Sequence, residues 1–280
     1  MKLGMHASAW KDWRDDNATA AIRETKRLGL DFVEIPLTSH EGLRAVAIAN
    51  NLKEAGLQAV TSALITNQSF DITSEFSENR AAGIDFLKKC VRLTSEIGAD
   101  FFGGVLYGPH MKLSTGRPSE ELMHRAASGL REVAHYAKEL GITLGLEPIN
   151  RYETCLVNTC EQALKLIRLI GEPNVKVHLD TYHMNIEEKN VSGAIRQAGS
   201  LLGHIHLNES DWGIPGTAHT DWQGIFGALQ EINYAGYASL ECVIELDGGY
   251  VWRQLAPDNR TLAEEGIRFL KGMRDQYFRS

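Results

Sequence analysis

The sequence predicts a single (β/α)8 barrel over residues 1–280, and three observations carry that prediction. Eight short apolar runs alternate with eight amphipathic segments, and no Pro/Ser-rich linker separates any two of them. Several amphipathic segments end at a glycine opening a recurrent phrase: Leu28-Gly29-Leu30-Asp31, Ala55-Gly56-Leu57, Ile97-Gly98-Ala99-Asp100 and Leu140-Gly141-Ile142. Glycine in a left-handed position stops a helix, so a strand is expected to follow within a few residues. No glycine-rich phosphate turn follows the first apolar run, which argues against an open doubly wound sheet.

The elements follow in order. KLGMHAS (2–8) is the first strand, and a helix is expected at 16–28. DFVEIPL (31–37) sets Glu34 and Pro36 among apolar residues and leads to a helix at 41–55. QAVTSALIT (58–66) precedes a helix at 78–97, where Ile84, Leu87, Val91 and Ile97 lie near one face. DFFGGVLYG (100–108) precedes 118–139, with Pro118 suited to a helix start. ITLGLEPI (142–149) carries Glu147 at its end and leads to 160–170. VKVHLDTYHM (175–184) carries His178 and Asp180, with His183 beyond, and leads to 190–199. LGHIHLNES (202–210) carries His204 and His206 before a helix at 221–232. YASLECVIEL (237–246) carries Glu241 and Glu245, and the last helix, 258–276, starts near Pro257.

Composition narrows the class. The 29 Lys+Arg against 36 Asp+Glu give a net charge of −7, which argues against nucleic acid as a partner. The 43% apolar content is enough for one large core. No run of about 18 apolar residues offers a membrane span. The opening MKLGMHASAWKDWRDD lacks the apolar stretch of a secretion signal, so a cytoplasmic protein is expected. Cys90, Cys155, Cys160 and Cys242 are too few and too unevenly spaced for a disulfide framework, so free thiols are expected.

Charged residues inside buried strands need partners or a metal. They concentrate in the last four strands. Side chains two apart share a face, and barrel active sites form at the C-terminal strand ends. Glu147, Asp180, His206 and Glu241, from four successive strands, would converge as three carboxylates and one imidazole. That set suits Mn²⁺, Mg²⁺ or Co²⁺ better than Zn²⁺.

Three long stretches, GLEPINRYETCLVNT (145–159), VHLDTYHMNIEE (177–188) and GHIHLNESDWGIPGTAHTDW (203–222), together with LEC at 240–242, carry a family pattern. They resemble the D-tagatose, D-psicose (allulose) and L-ribulose 3-epimerases, within the xylose-isomerase-like TIM barrels. The resemblance implies metal ligands at Glu147, Asp180, His206 and Glu241, usually for Mn²⁺, and an acid/base pair in Glu147 and Glu241. It implies substrate contacts from Glu153 and His183. Where the group often has Arg before the glycine after strand seven, this protein has Trp212, so the hydroxyl pattern read there is expected to differ. The partner implied is a free ketose, and the assembly implied is a homodimer or homotetramer.

Epimerisation next to a ketone removes a carbon-bound proton and returns one to the opposite face. A divalent ion stabilises the enediolate, and two carboxylates serve as base and acid. A sugar isomerase or an inosose-type dehydratase on the same barrel would share the four ligands. An endonuclease-IV-like phosphodiesterase would need more histidines and a basic groove. A barrel that only binds sugar would have no need of the acid/base pair.

Other residues carry looser expectations. His178 and His204 are expected inside the barrel behind the ligands, with His204 able to orient a ligand carboxylate. Glu34 and His6 are candidates for contacts with substrate hydroxyls. Arg151 suits either a surface ion pair or the site. Trp10, Trp13, and Phe101 or Phe102 are candidate apolar walls, although each alone fits core packing better.

Overall fold

The computed structural model describes residues 1–10, 18–38, 42–114, 119–242 and 253–278. Trp13, Pro118, Glu245 and positions 243–246 of the expected eighth strand lie outside the described residues. Eight parallel strands close into a barrel in sequence order. They are β1 (Lys2–His6), β2 (Phe32–Pro36), β3 (Gln58–Ile65), β4 (Phe101–Pro109), β5 (Thr143–Leu146), β6 (Val175–Asp180), β7 (Leu202–His206) and β8 (Tyr237–Leu240). The helices are α1 (Thr19–Arg27), α2 (Ala45–Ala55), α3 (Ser77–Ile97), α4 (Glu120–Glu139), α5 (Cys160–Ile170), α6 (Thr181–Glu187), α7 (Val191–Ala198), α8 (Trp222–Glu231) and α9 (Asn259–Tyr277).

The four phrase glycines, Gly29, Gly56, Gly98 and Gly141, all take positive φ, between 61° and 87°. Each therefore ends its helix in the conformation that favours glycine. Helix α5 is fixed at its other end by a capping box between Thr159 and Gln162.

One expected strand divides. The run 175–184 leaves the sheet at Asp180, whose Oδ1 accepts the Tyr182 N–H at 2.7 Å and starts α6. His183 thus stands in the first turn of a short helix rather than beyond a strand. The fifth, seventh and eighth strands stop earlier than expected. Glu147 and Glu241 therefore sit one residue past β5 and β8.

Inside the barrel, side-chain alternation builds layers. Phe32, Val60, Phe101 and Tyr237 form a small apolar cluster distinct from the main core between strands and helices. Two residues further along, β2, β7 and β8 supply Glu34, His206 and Ser239, with His178 and His204 beside them. The β6–β7 register pairs His178 with His204 and Asp180 with His206. Phe101 was a candidate wall for the site, but its ring stacks on His204 at 5.5 Å inside the barrel. Phe102 and Trp10 belong to the main core.

The interior fits only because β5 has no side chain at Gly145. A Cβ there would come within 2.3 Å of Phe101 Cζ. Gly145→Ala is expected to lower stability by about 1–3 kcal/mol through overpacking. Urea unfolding measures this, and an unchanged midpoint would show that the Phe101 ring yields without cost.

Candidate metal centre and sugar pocket

The four sequence-predicted ligands meet. Glu147, Asp180, His206 and Glu241 bring one ligand atom each to within 4.8 Å of all the others. His206 Nδ1 lies 3.4 Å from Glu147 Oε1, 3.6 Å from Asp180 Oδ2 and 3.2 Å from Glu241 Oε2. It is nevertheless buried with no well-formed hydrogen bond among the described residues. Three carboxylate oxygens and one nitrogen gathered this closely, with no formed hydrogen bond at Nδ1, fit a divalent metal ion. Metal bonds of about 2.0–2.2 Å place opposed ligands about 4 Å apart.

Each ligand is held from behind. Asp180 divides its oxygens, with Oδ1 capping α6 and Oδ2 accepting from Asn208 Nδ2 at 3.0 Å. Asn208 Oδ1 accepts the Glu241 N–H at 3.0 Å, so one amide ties two ligands together. Tyr107, fully buried, donates its hydroxyl to the Glu147 carbonyl at 3.0 Å and to the Val157 carbonyl at 3.1 Å. Tyr107 and Asn208 were not anticipated as site residues. Asn208 keeps the alternation of His204 and His206, which was the available signal.

Beneath the ligands lies a layer of buried polar groups. Glu34 accepts from Ser239 Oγ at 2.6 Å and lies 3.0 Å from His204 Nε2 and 3.1 Å from His206 Nε2. Glu34 is thus occupied below the site rather than reaching a substrate hydroxyl. His204 meets Glu34 and Ser239 rather than a ligand carboxylate. His178, His204 and His206 also approach one another closely enough to suggest a second ion site. Their rings pack edge to face at 4.2–5.1 Å, and Glu34 already engages Nε2 of two of them. They are packed imidazoles.

Above the ligands opens a cavity of about 310 Å³. His6 and the three substrate candidates Glu153, His183 and Trp212 line it. Glu153 is fixed by His110 Nε2 at 2.9 Å and by Asn150 Nδ2, which donates at 2.6 Å. Asn150 also presents its backbone N–H and its amide to His183 Nδ1, at 3.3 and 2.9 Å. With Nδ1 accepting, the imidazole proton sits on Nε2. His110 carried no sequence signal beyond being polar, and Asn150 lay in the family-like stretch 145–159 without a role of its own. Arg151 forms a two-pronged ion pair with Glu187 on the surface, away from the pocket.

Trp212 occupies a left-handed backbone position, φ 62°, and its ring lies 4.9 Å from that of Tyr182. The loop that carries it is pinned by buried Glu209. This carboxylate accepts from the Ser210, Gly216 and Thr220 backbone N–H groups and from Trp222 Nε1. Burial alone would raise the Glu209 carboxyl, but these donors and the Thr220 hydroxyl outweigh it and bring it down to about 2.

Electrostatics separates the two acid/base candidates. Burial pushes Glu147 up to about 7; His206 opposes this, and the charges of Glu241 and Asp180 add to it. Burial acts on Glu241 in the same sense, but the charge and contact of His206 prevail and bring it to about 2. Burial would lower His206, yet the carboxylates of Glu34 and Glu241 raise it well above the usual histidine range.

The chain belongs to the xylose isomerase-like TIM barrel family, whose model matches residues 22–273. It is 33% identical to the L-ribulose 3-epimerase of Methylomonas sp., over 97% of this chain and 97% of that protein. It is 33% identical to the ketose 3-epimerase of Arthrobacter globiformis, over 97% of this chain and 96% of that protein. Among solved structures, the D-allulose 3-epimerase of Methylomonas sp. in complex with D-allulose has a TM-score of 0.91 at 32% identity. That match covers 98% of this chain and 97% of the other. These relatives are 3-epimerases of keto-sugars, enzymes of the isomerase class.

Ion binding should depend on pH with a definite sign. In the ion-free protein Glu147 is mostly protonated below about pH 7, and His206 keeps its extra proton to higher pH. Ligation needs both deprotonated, so protons compete with the ion. Calorimetric titration with Mn²⁺ is expected to show affinity rising from pH 6 to pH 8. One competing proton contributes up to about tenfold per pH unit. Equal affinities at the two pH values would contradict these raised values.

Proposed function

We propose that this protein is a metal-dependent ketose 3-epimerase acting on free keto-sugars. The observation that carries the proposal is the placement of Glu147 and Glu241. They follow β5 and β8, and both face His206 Nδ1, at 3.4 and 3.2 Å. The relatives' names supply the substrate class.

Glu147, Asp180, His206 and Glu241 would hold the ion, with Mn²⁺ first and Mg²⁺ or Co²⁺ as alternatives given the oxygen-rich set. Such an ion would polarise a ketone oxygen and lower the cost of removing the proton on the neighbouring carbon. One of Glu147 and Glu241 takes that proton from one face of C3, and the other delivers a proton to the opposite face. In the reverse direction the roles exchange. Tyr107 and Asn208 hold the two carboxylates in register through backbone groups. Glu153 and His183 offer hydrogen bonds to sugar hydroxyls, and Trp212 offers an apolar face to the C–H groups of the sugar.

The proposal includes a cytoplasmic location and a homodimeric or homotetrameric assembly. The four cysteines are free thiols, which suits a reducing compartment. Among the described residues, no helix is long and apolar enough to cross a membrane.

The test is a panel of D-fructose, D-tagatose and L-ribulose with Mn²⁺ added back, read by sugar chromatography and by solvent deuterium incorporation. Label entering at C3 is the expected result, whereas label at C1 would indicate aldose–ketose isomerisation. Glu147→Gln and Glu241→Gln should each lower turnover by about 100-fold or more on every ketose. Wild-type turnover in either variant would refute the acid/base pair, and full activity after exhaustive chelation would refute the ion.

A further inference from the structure

Glu34 stands on β2, far in sequence from the four ion-facing residues, and is 1% exposed. Three groups converge on its carboxylate. Ser239 Oγ lies at 2.6 Å, His204 Nε2 at 3.0 Å, and His206 Nε2 at 3.1 Å from both oxygens. A carboxylate accepts hydrogen bonds and donates none, so each of the three neighbours must bring the proton. For His206 this puts a proton on Nε2. In the neutral ring the lone pair is then on Nδ1, the atom that faces Glu147, Asp180 and Glu241.

We infer that Glu34 is the positioning residue of the ion site, fixing both the ring orientation and the tautomer of His206. The inference rests on the reading of the four-residue cluster as an ion site. A carboxylate behind a ligating imidazole also makes the ring a stronger donor towards the ion. His204 and Ser239 hold Glu34 in place, since together they account for its remaining hydrogen bonds among the described residues. A glutamine at this position would present one acceptor and one donor group. Its amide N–H groups would face a neighbour that itself donates, so the arrangement could not form with all three partners.

The test compares Mn²⁺ binding by calorimetry in native protein, Glu34→Gln and Glu147→Gln, with turnover read separately. Glu34→Gln is expected to bind Mn²⁺ about 10- to 100-fold more weakly. Unchanged affinity in Glu34→Gln, alongside a loss in Glu147→Gln, overturns the inference and leaves the ion site standing. Unchanged affinity in Glu147→Gln overturns the ion site itself. If Glu34→Gln fails to fold, the native protein decides the matter. Proton–nitrogen correlation spectra of the ion-free native protein, taken at a pH high enough to leave the His206 ring neutral, should show Nε2 protonated and Nδ1 unprotonated, a tautomer that packing alone would not impose. An unprotonated Nε2 overturns the inference.

Discussion

Three carboxylates crowded around one imidazole nitrogen set the terms for the rest of the molecule. Like charges this close, under a barrel mouth largely shielded from water, repel strongly unless a cation or protons intervene. The protein answers with backing rather than distance. Asn208 binds Asp180 and Glu241 together, Tyr107 holds the Glu147 backbone, and Glu34 stands behind His206. These groups keep the four candidate ligand atoms within 4.8 Å of one another.

The barrel makes that arrangement possible. Because alternate residues of every strand point inward, one strand can supply an aromatic at the bottom, a hydrogen-bonding residue in the middle and a ligand at the top. On β8 the sequence of inward residues is Tyr237, Ser239 and then Glu241, just past the strand end. Glycines on β4 and β5 leave room for Phe101 and His178 to fill the interior. A Cβ at Gly103 would come within 2.8 Å of His178 Nδ1.

Much of this was legible in the sequence for physical reasons. Charges amid the apolar runs of strands five to eight have few explanations, and the strand count placed them at one end of a barrel. The convergence of Glu147, Asp180, His206 and Glu241 was therefore legible without coordinates. The role of Glu34 was not, because it depends on which side chains the closed barrel brings across from β7 and β8. The strand-to-helix change at Asp180 was hidden for a related reason. TYHM is apolar enough to prolong a strand, and only the local bond from Asp180 to the Tyr182 N–H ends it. His110 gave no pattern, since it matters through Glu153, far along the sequence, and the link from Asn150 to His183 is equally distant.

The cavity walls have a further meaning for how such a protein can change over generations. Ser8, Pro36, Thr38, Ser62 and Leu64, from the first three strands and their ends, line the cavity but supply none of the four ion-facing groups. On the proposed function, changes in that half would alter the shape of the cavity without touching the four ion-facing residues. Glu34 reaches across from β2 to His204, His206 and Ser239, so it marks one limit of that freedom.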